Sequence, residues 1–148
     1  MGLFGGMDAS ASGMTAQRLR MDLTSNNIAN INTTRTEDGG PYRRQAPIFK
    51  AKGEETKFKL PDLAGGGTGQ QDGQGVQVEG VQKSTKPPRL VHNPEHPDAD
   101  ESGYVEKPNI DIASEMVDMI SASRAYEANV TAVNSSKQMF NSALEIGR

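Results

Sequence analysis

Residues 112–144 read IASEMVDMISASRAYEANVTAVNSSKQMFNSAL. Ile112, Met116, Met119, Ser123, Tyr126, Val130, Val133, Lys137, Phe140 and Leu144 recur at alternating steps of four and three, a heptad row with eight apolar places in ten. No Gly or Pro interrupts 109–146, so the spacing predicts one continuous helix from Asp111 to Glu145, about 50 Å long at 1.5 Å per residue. Asn109 or Asp111 is placed to cap its start, with Pro108 just outside. A second apolar row, Ala113, Val117 and Ile120, lies beside the first. Ala122, Ala125, Ala128 and Ala132 keep another side thin, which lets a neighbour approach closely.

The other end of the chain carries a similar pattern. Phe4, Met7, Ala11, Met14, Met21 and Ile28 follow the same spacing, with Arg18 and Ser25 in the remaining places and Ala16, Leu19 and Leu23 alongside. This predicts a helix from near Met7 to near Asn30 with a wide apolar face. Gly2, Gly5 and Gly6 are expected to leave the extreme N-terminus loose. Between the helices all eight prolines fall at 41–108, which excludes long helices there. GVQVEGVQ (75–82) alternates as a strand, with Gly80 suggesting a bulge before Val81. YRRQAPIFKA (42–51) and KFKL (57–60) are weaker strand candidates. LAGGGTGQQDGQG (63–75) reads as a flexible loop. The expected fold is α+β: long N- and C-terminal helices paired as a coiled coil, with a small irregular β subdomain between them. The expected divisions are 1–36, 37–108 and 109–148.

Composition narrows the function. Only 34% of the 148 residues are hydrophobic and none is Trp, so one large core is not available. Each terminal helix has apolar surface left over after pairing, and packing against neighbouring subunits is the economical way to cover it. The isolated termini are therefore expected to be largely disordered and to fold on assembly. The absence of cysteine excludes disulfides and thiolate chemistry. Residues 1–60 carry net +3 and 61–148 net −6, with no basic block interleaved with aromatics, so no nucleic-acid partner is expected. The N-terminus has neither the basic start nor the apolar run of a Sec-type signal.

Two motifs imitate chemical sites. HNPEH (92–96) has the order of a zinc-protease signature, which works only where both histidines share a helix face. Pro94 and Pro97 break any such helix, and a Pro-rich turn is the reading. DADESGYVEKPN (98–109) places Asp98, Asp100, Ser102 and Gly103 as in a calcium loop, but Asn109 stands where calcium needs a bidentate Glu. It reads as an acidic turn. No catalytic constellation, metal site, cofactor or small-molecule substrate is expected.

SNNIANINTTRT (25–36) packs Asn26, Asn27, Asn30 and Asn32 into the end of the first helix. It resembles the signature of the bacterial flagellar rod and hook proteins, whose usual form is close to NNIANxNT. GGPYRRQAPIF (39–49), HPDADESGYVEKPNIDIASEMVDMI (96–120) and SASRAYEANV (121–130) follow in order and resemble the proximal-rod members of this axial-protein family. The stretch around 52–75 is not distinctive. The resemblance implies a structural subunit, not an enzyme, exported by the flagellar type III system without a cleaved signal. It implies helical polymerisation in the periplasm-spanning rod of the basal body, carrying motor torque to the hook. The implied partners are further copies, other rod proteins, basal-body ring and hook-side neighbours, and the export apparatus. Its terminal helices would pair and form the inner tube. The expected assembly contacts are Met7, Met14, Met21, Asn26, Asn27, Ile28 and Asn30 at one end. Ile112, Met116, Met119, Tyr126, Val130, Val133, Phe140 and Leu144 are expected at the other. The amides of Asn26, Asn27 and Asn30 are expected to cap helix-end carbonyls and reach across to neighbouring helices.

Overall fold

A computed structural model describes residues 3–37, 39–52 and 75–146. The order is α1 (Leu3–Ala29), β1 (Gln45–Ala51), β2 (Val76–Lys83), β3 (Arg89–His92), β4 (Tyr104–Lys107) and α2 (Ile112–Ile146). The class is α+β, with the strands in two separate antiparallel hairpins, β1–β2 and β3–β4. KFKL (57–60), and all of the glycine-rich stretch except Gly75, lie outside the described residues.

Asp111 starts α2. Its Oδ1 accepts from the Ala113 N–H at 3.4 Å and its Oδ2 from the Ser114 N–H at 3.3 Å and the Ser114 hydroxyl at 2.7 Å. These bonds satisfy donors that a helix start leaves open. They also hold the Asp111 carboxyl below its ordinary pKa, the Ser114 hydroxyl being the largest cause. α1 begins earlier than the glycines suggested and runs through Gly5 and Gly6. It ends where Asn30 Nδ2 donates to the Asn26 carbonyl at 2.9 Å and the chain turns through Thr33.

The two helices pack on each other and run antiparallel. Gly13 lies against Asn129, Arg20 pairs with Asp118, and Asn27 meets Glu115, so rising numbers on α1 meet falling numbers on α2. The α1 contacts are seven apart. The α2 contacts stand among Ala122, fully buried, and Ala125, half-buried. This is part of the thin alanine side, although Ala128 and Ala132 face solvent. Gly13 permits the approach: a β carbon there would lie 3.0 Å from Asn129 Nδ2.

The expected coiled-coil pairing along the apolar heptad rows is not confirmed. In the single chain Ala16 and Leu23 of α1 are buried, as is Ala122 of α2, while Ile112, Met116, Phe140 and Leu144 are exposed. Met119, Tyr126, Val130 and Val133 are half-buried, as are Met7, Met14, Met21 and Ile28 on α1. The physical reason is size. Glycine and alanine let the backbones close, and the buried polar side chains opposite them find hydrogen-bond partners within the subunit.

Hairpin β1–β2 lies against α1. Its register runs Gln45↔Lys83 to Ile48↔Gly80, then resumes at Phe49↔Val78, leaving Glu79 as the extra residue of a bulge beside Gly80. Hairpin β3–β4 pairs Arg89↔Lys107 through His92↔Tyr104. It was not foreseen as strands, because four-residue strands flanked by prolines carry little periodic signal.

Candidate functional site

The most connected group of side chains sits where the end of α1, the start of β1 and the first turns of α2 meet. Asn27, 1% exposed, uses its whole amide. Its Nδ2 donates to the Gln45 carbonyl at 2.9 Å and to Glu115 Oε2 at 3.0 Å. Its Oδ1 accepts from the Gln45 N–H at 2.9 Å and the Tyr42 hydroxyl at 3.0 Å. Two donors and two acceptor sites are the full capacity of an amide.

Glu115, also 1% exposed, accepts from Arg44 Nε on its other oxygen. The same guanidinium donates through Nη2 to Asp118 Oδ2 at 3.1 Å, and Arg20 Nη2 donates to Asp118 Oδ1 at 2.8 Å. Charges thus alternate along Glu115, Arg44, Asp118 and Arg20. A buried carboxylate persists only with such partners. Burial raises the Tyr42 pKa, the nearby Glu115 carboxylate raises it further, and Lys83 partly offsets both. The phenol therefore stays protonated and available to donate to Asn27.

The far end of β1–β2 is pinned separately. Ser12 Oγ donates to the Ala9 carbonyl at 2.7 Å and accepts from the Val76 N–H at 3.0 Å. Gly75, at φ +98°, passes so close that a β carbon would sit 2.2 Å from Ser12 Oγ.

This arrangement holds elements in place. The two histidines serve local structure. His92 packs edge-on to Tyr104, ring centres 5.1 Å apart, and His96 Nδ1 accepts from the Asp98 N–H at 3.1 Å. Asp100 Oδ1 accepts from the Ser102 and Tyr104 N–H groups, each at 2.9 Å, closing the acidic turn on itself.

Of the expected contact residues, the fold brings only Asn27 into this cluster. Asn26 is exposed, and Asn30 accepts from the Thr33 hydroxyl at 3.1 Å. Tyr42, Arg44, Gln45, Glu115, Asp118 and Arg20 went unnoticed in the sequence. The available signal was the row Glu115, Asp118, Ala122, Ala125 and Asn129, spaced three and four like the apolar row but polar and small.

With this geometry in view, relatives decide the family. The chain is 52% identical to the flagellar basal-body rod protein FlgC of Borreliella burgdorferi, over 99% of this chain and 98% of that one. It is 44% identical to FlgC of Bacillus subtilis over the full length of both. The chain belongs to the FlgC family of flagellar basal-body rod proteins. FlgC of Escherichia coli O157:H7 is 36% identical, again over the full length of both chains. Residues 7–35 also match the family described as flagella basal body rod protein, and residues 101–146 the one described as flagellar basal body rod FlgEFG protein C-terminal. The first match spans most of α1 with Asn27, and the second spans β4 and α2 with Glu115 and Asp118. FlgC is a structural rod family, and an element-fixing cluster is the kind of site it calls for.

Proposed function

We propose that this FlgC-family chain is a non-enzymatic building block that polymerises helically with further copies and other rod proteins in the basal-body rod. In that place it carries torque across the periplasm to the hook, after export through the flagellar type III apparatus. The observation that supports this reading best is the outer face of α2. Val117 is 66% exposed, and Met116 and Ile120 are each 54% exposed, within two turns of one helix. Apolar side chains clustered in this way on a soluble chain mark an interaction surface. Ile112, adjoining them, and Leu144 at the far end extend the exposed apolar surface of the same helix. On assembly the heptad rows of α2 and the Met7, Met14, Met21 and Ile28 row of α1 become coiled-coil seams against neighbouring helices. The terminal segments 1–36 and 109–148 then form the tube, with 37–108 outside it.

The test is Met116→Ser with Ile120→Ser in the full chain. Both side chains are exposed, so far-UV circular dichroism should be unchanged. Swimming in soft agar should be lost, and the variant should be missing from purified basal bodies while still exported to the medium of a strain blocked in rod assembly. Normal swimming would refute the assignment of this face.

A further inference from the structure

We infer that Asn27 works inside its own subunit as a positioning residue, setting the β1–β2 arm on α1 and making that placement depend on α2. Two pins hold the arm, Ser12 to Val76 at one end and Asn27 to Gln45 at the other. Fifteen helical residues separate the pins on α1, about 22 Å at 1.5 Å per residue. The six steps of β1 from Gln45 to Ala51 cover about 20 Å at 3.3 Å per residue, and Ala51 pairs with Val76. The match lays the arm lengthwise along the helix.

The pins differ in what they sense. The Ser12 pin involves α1 and β2 alone. The Asn27 pin also includes α2, because the same Nδ2 that grips Gln45 donates to Glu115, and Arg44, next to Gln45, binds both Glu115 and Asp118. Undocking α2 therefore loosens the base of the arm and leaves its tip attached. The chemistry also selects the residue. Alanine would leave the Gln45 N–H and carbonyl without their partners. Aspartate would set a carboxylate against the Glu115 carboxylate and against the Gln45 carbonyl. Both readings place the amide of the asparagine-rich stretch within the subunit, and its 1% exposure leaves no face for a neighbouring one.

The test is residue-resolved amide hydrogen exchange on the full-length chain, followed at Gln45 and Val76. The wild-type Gln45 amide should be protected, and Asn27→Ala should speed it more than tenfold with little change at Val76. Ser12→Ala should do the reverse. Glu115→Ala, in which Arg44 keeps Asp118, should also speed Gln45, since α2 no longer secures Asn27. Asn27→Asp keeps an acceptor for the Gln45 N–H but repels Glu115, so it should exchange faster than wild type and more slowly than Asn27→Ala. Adding Glu115→Gln to Asn27→Asp should recover part of the protection, because the introduced amide on α2 then donates to the introduced carboxylate on α1. The proposal is overturned if wild-type Gln45 exchanges like an unfolded peptide or if Asn27→Ala leaves it unchanged. It is also overturned if Gln45 and Val76 speed up equally, or if Glu115→Ala has no effect on Gln45. Swimming is not a readout here, so failure of the assembly face and failure of this lock remain distinguishable.

Discussion

Truncating Arg44 tests the buried cluster most directly. Arg44→Ala takes the guanidinium away from Glu115, which is 1% exposed and keeps its bond to Asn27. Breaking a fully buried ion pair by removing one member costs about 3–5 kcal/mol, because the other charge stays desolvated. The Arg44 side chain is 35% exposed, so water screens part of that effect and the expected loss is about 2–3 kcal/mol. In urea, with a slope of about 1.5–2 kcal/mol/M, the midpoint should fall by about 1–2 M. The helical circular dichroism signal reports the transition. Arg44→Ala with Glu115→Ala removes the stranded charge and leaves Asp118 paired with Arg20. The double variant should therefore be at least as stable as Arg44→Ala alone, a non-additivity that isolates the pair. A double variant that unfolds at lower urea than Arg44→Ala would refute the reasoning. It would mean that the bond of Glu115 to Asn27 and the space it fills outweigh the cost of its stranded charge.

Gly75→Ala should cost about 2–3 kcal/mol, from placing a side chain at positive φ and from displacing Ser12. The expected fall in Tm is about 5–10 °C for a chain of this size, and an unchanged Tm would show that the tip of the arm is not held at Ser12. The pH dependence has two limbs of opposite sign. Asp111 has its folded pKa below the ordinary 3.8, so its cap stabilises above that value and is lost as pH falls through the depressed one. Tyr42 has its folded pKa above 10.0, so its contribution is present below that pH and is lost as pH rises through the raised one. Asp111→Ser should flatten the acid limb of a urea-midpoint-against-pH curve and Tyr42→Phe the alkaline limb, each leaving the other limb in place.

Much of the fold is written locally in the chain. An uninterrupted heptad pattern and Asp111 three residues before Ser114 define α2 and its start. The alternation of Val76 and Val78, then Gly80, defines a bulged strand. The clustered prolines keep the middle from becoming helix. The asparagine-rich stretch and the motifs that follow it in order pointed to the axial family before any geometry was known. These signals are legible because each depends on residues within a turn or two of one another.

The choice of which helix face meets which lay beyond that reach. Several rows of α2 share the same spacing, and periodicity cannot rank an apolar row against a small, polar one. The tertiary structure chose the second for the contact within the subunit. Glycine and alanine let the two backbones approach, and the polar groups found partners 88 residues away for Asn27 and Glu115 and 98 away for Arg20 and Asp118. Partners at such separations leave no local trace in the sequence. The sequence alone therefore determined the elements and the kinship, and the fold decided which side of α2 meets α1, because the buried Asn27 and Glu115 need partners that only distant segments supply.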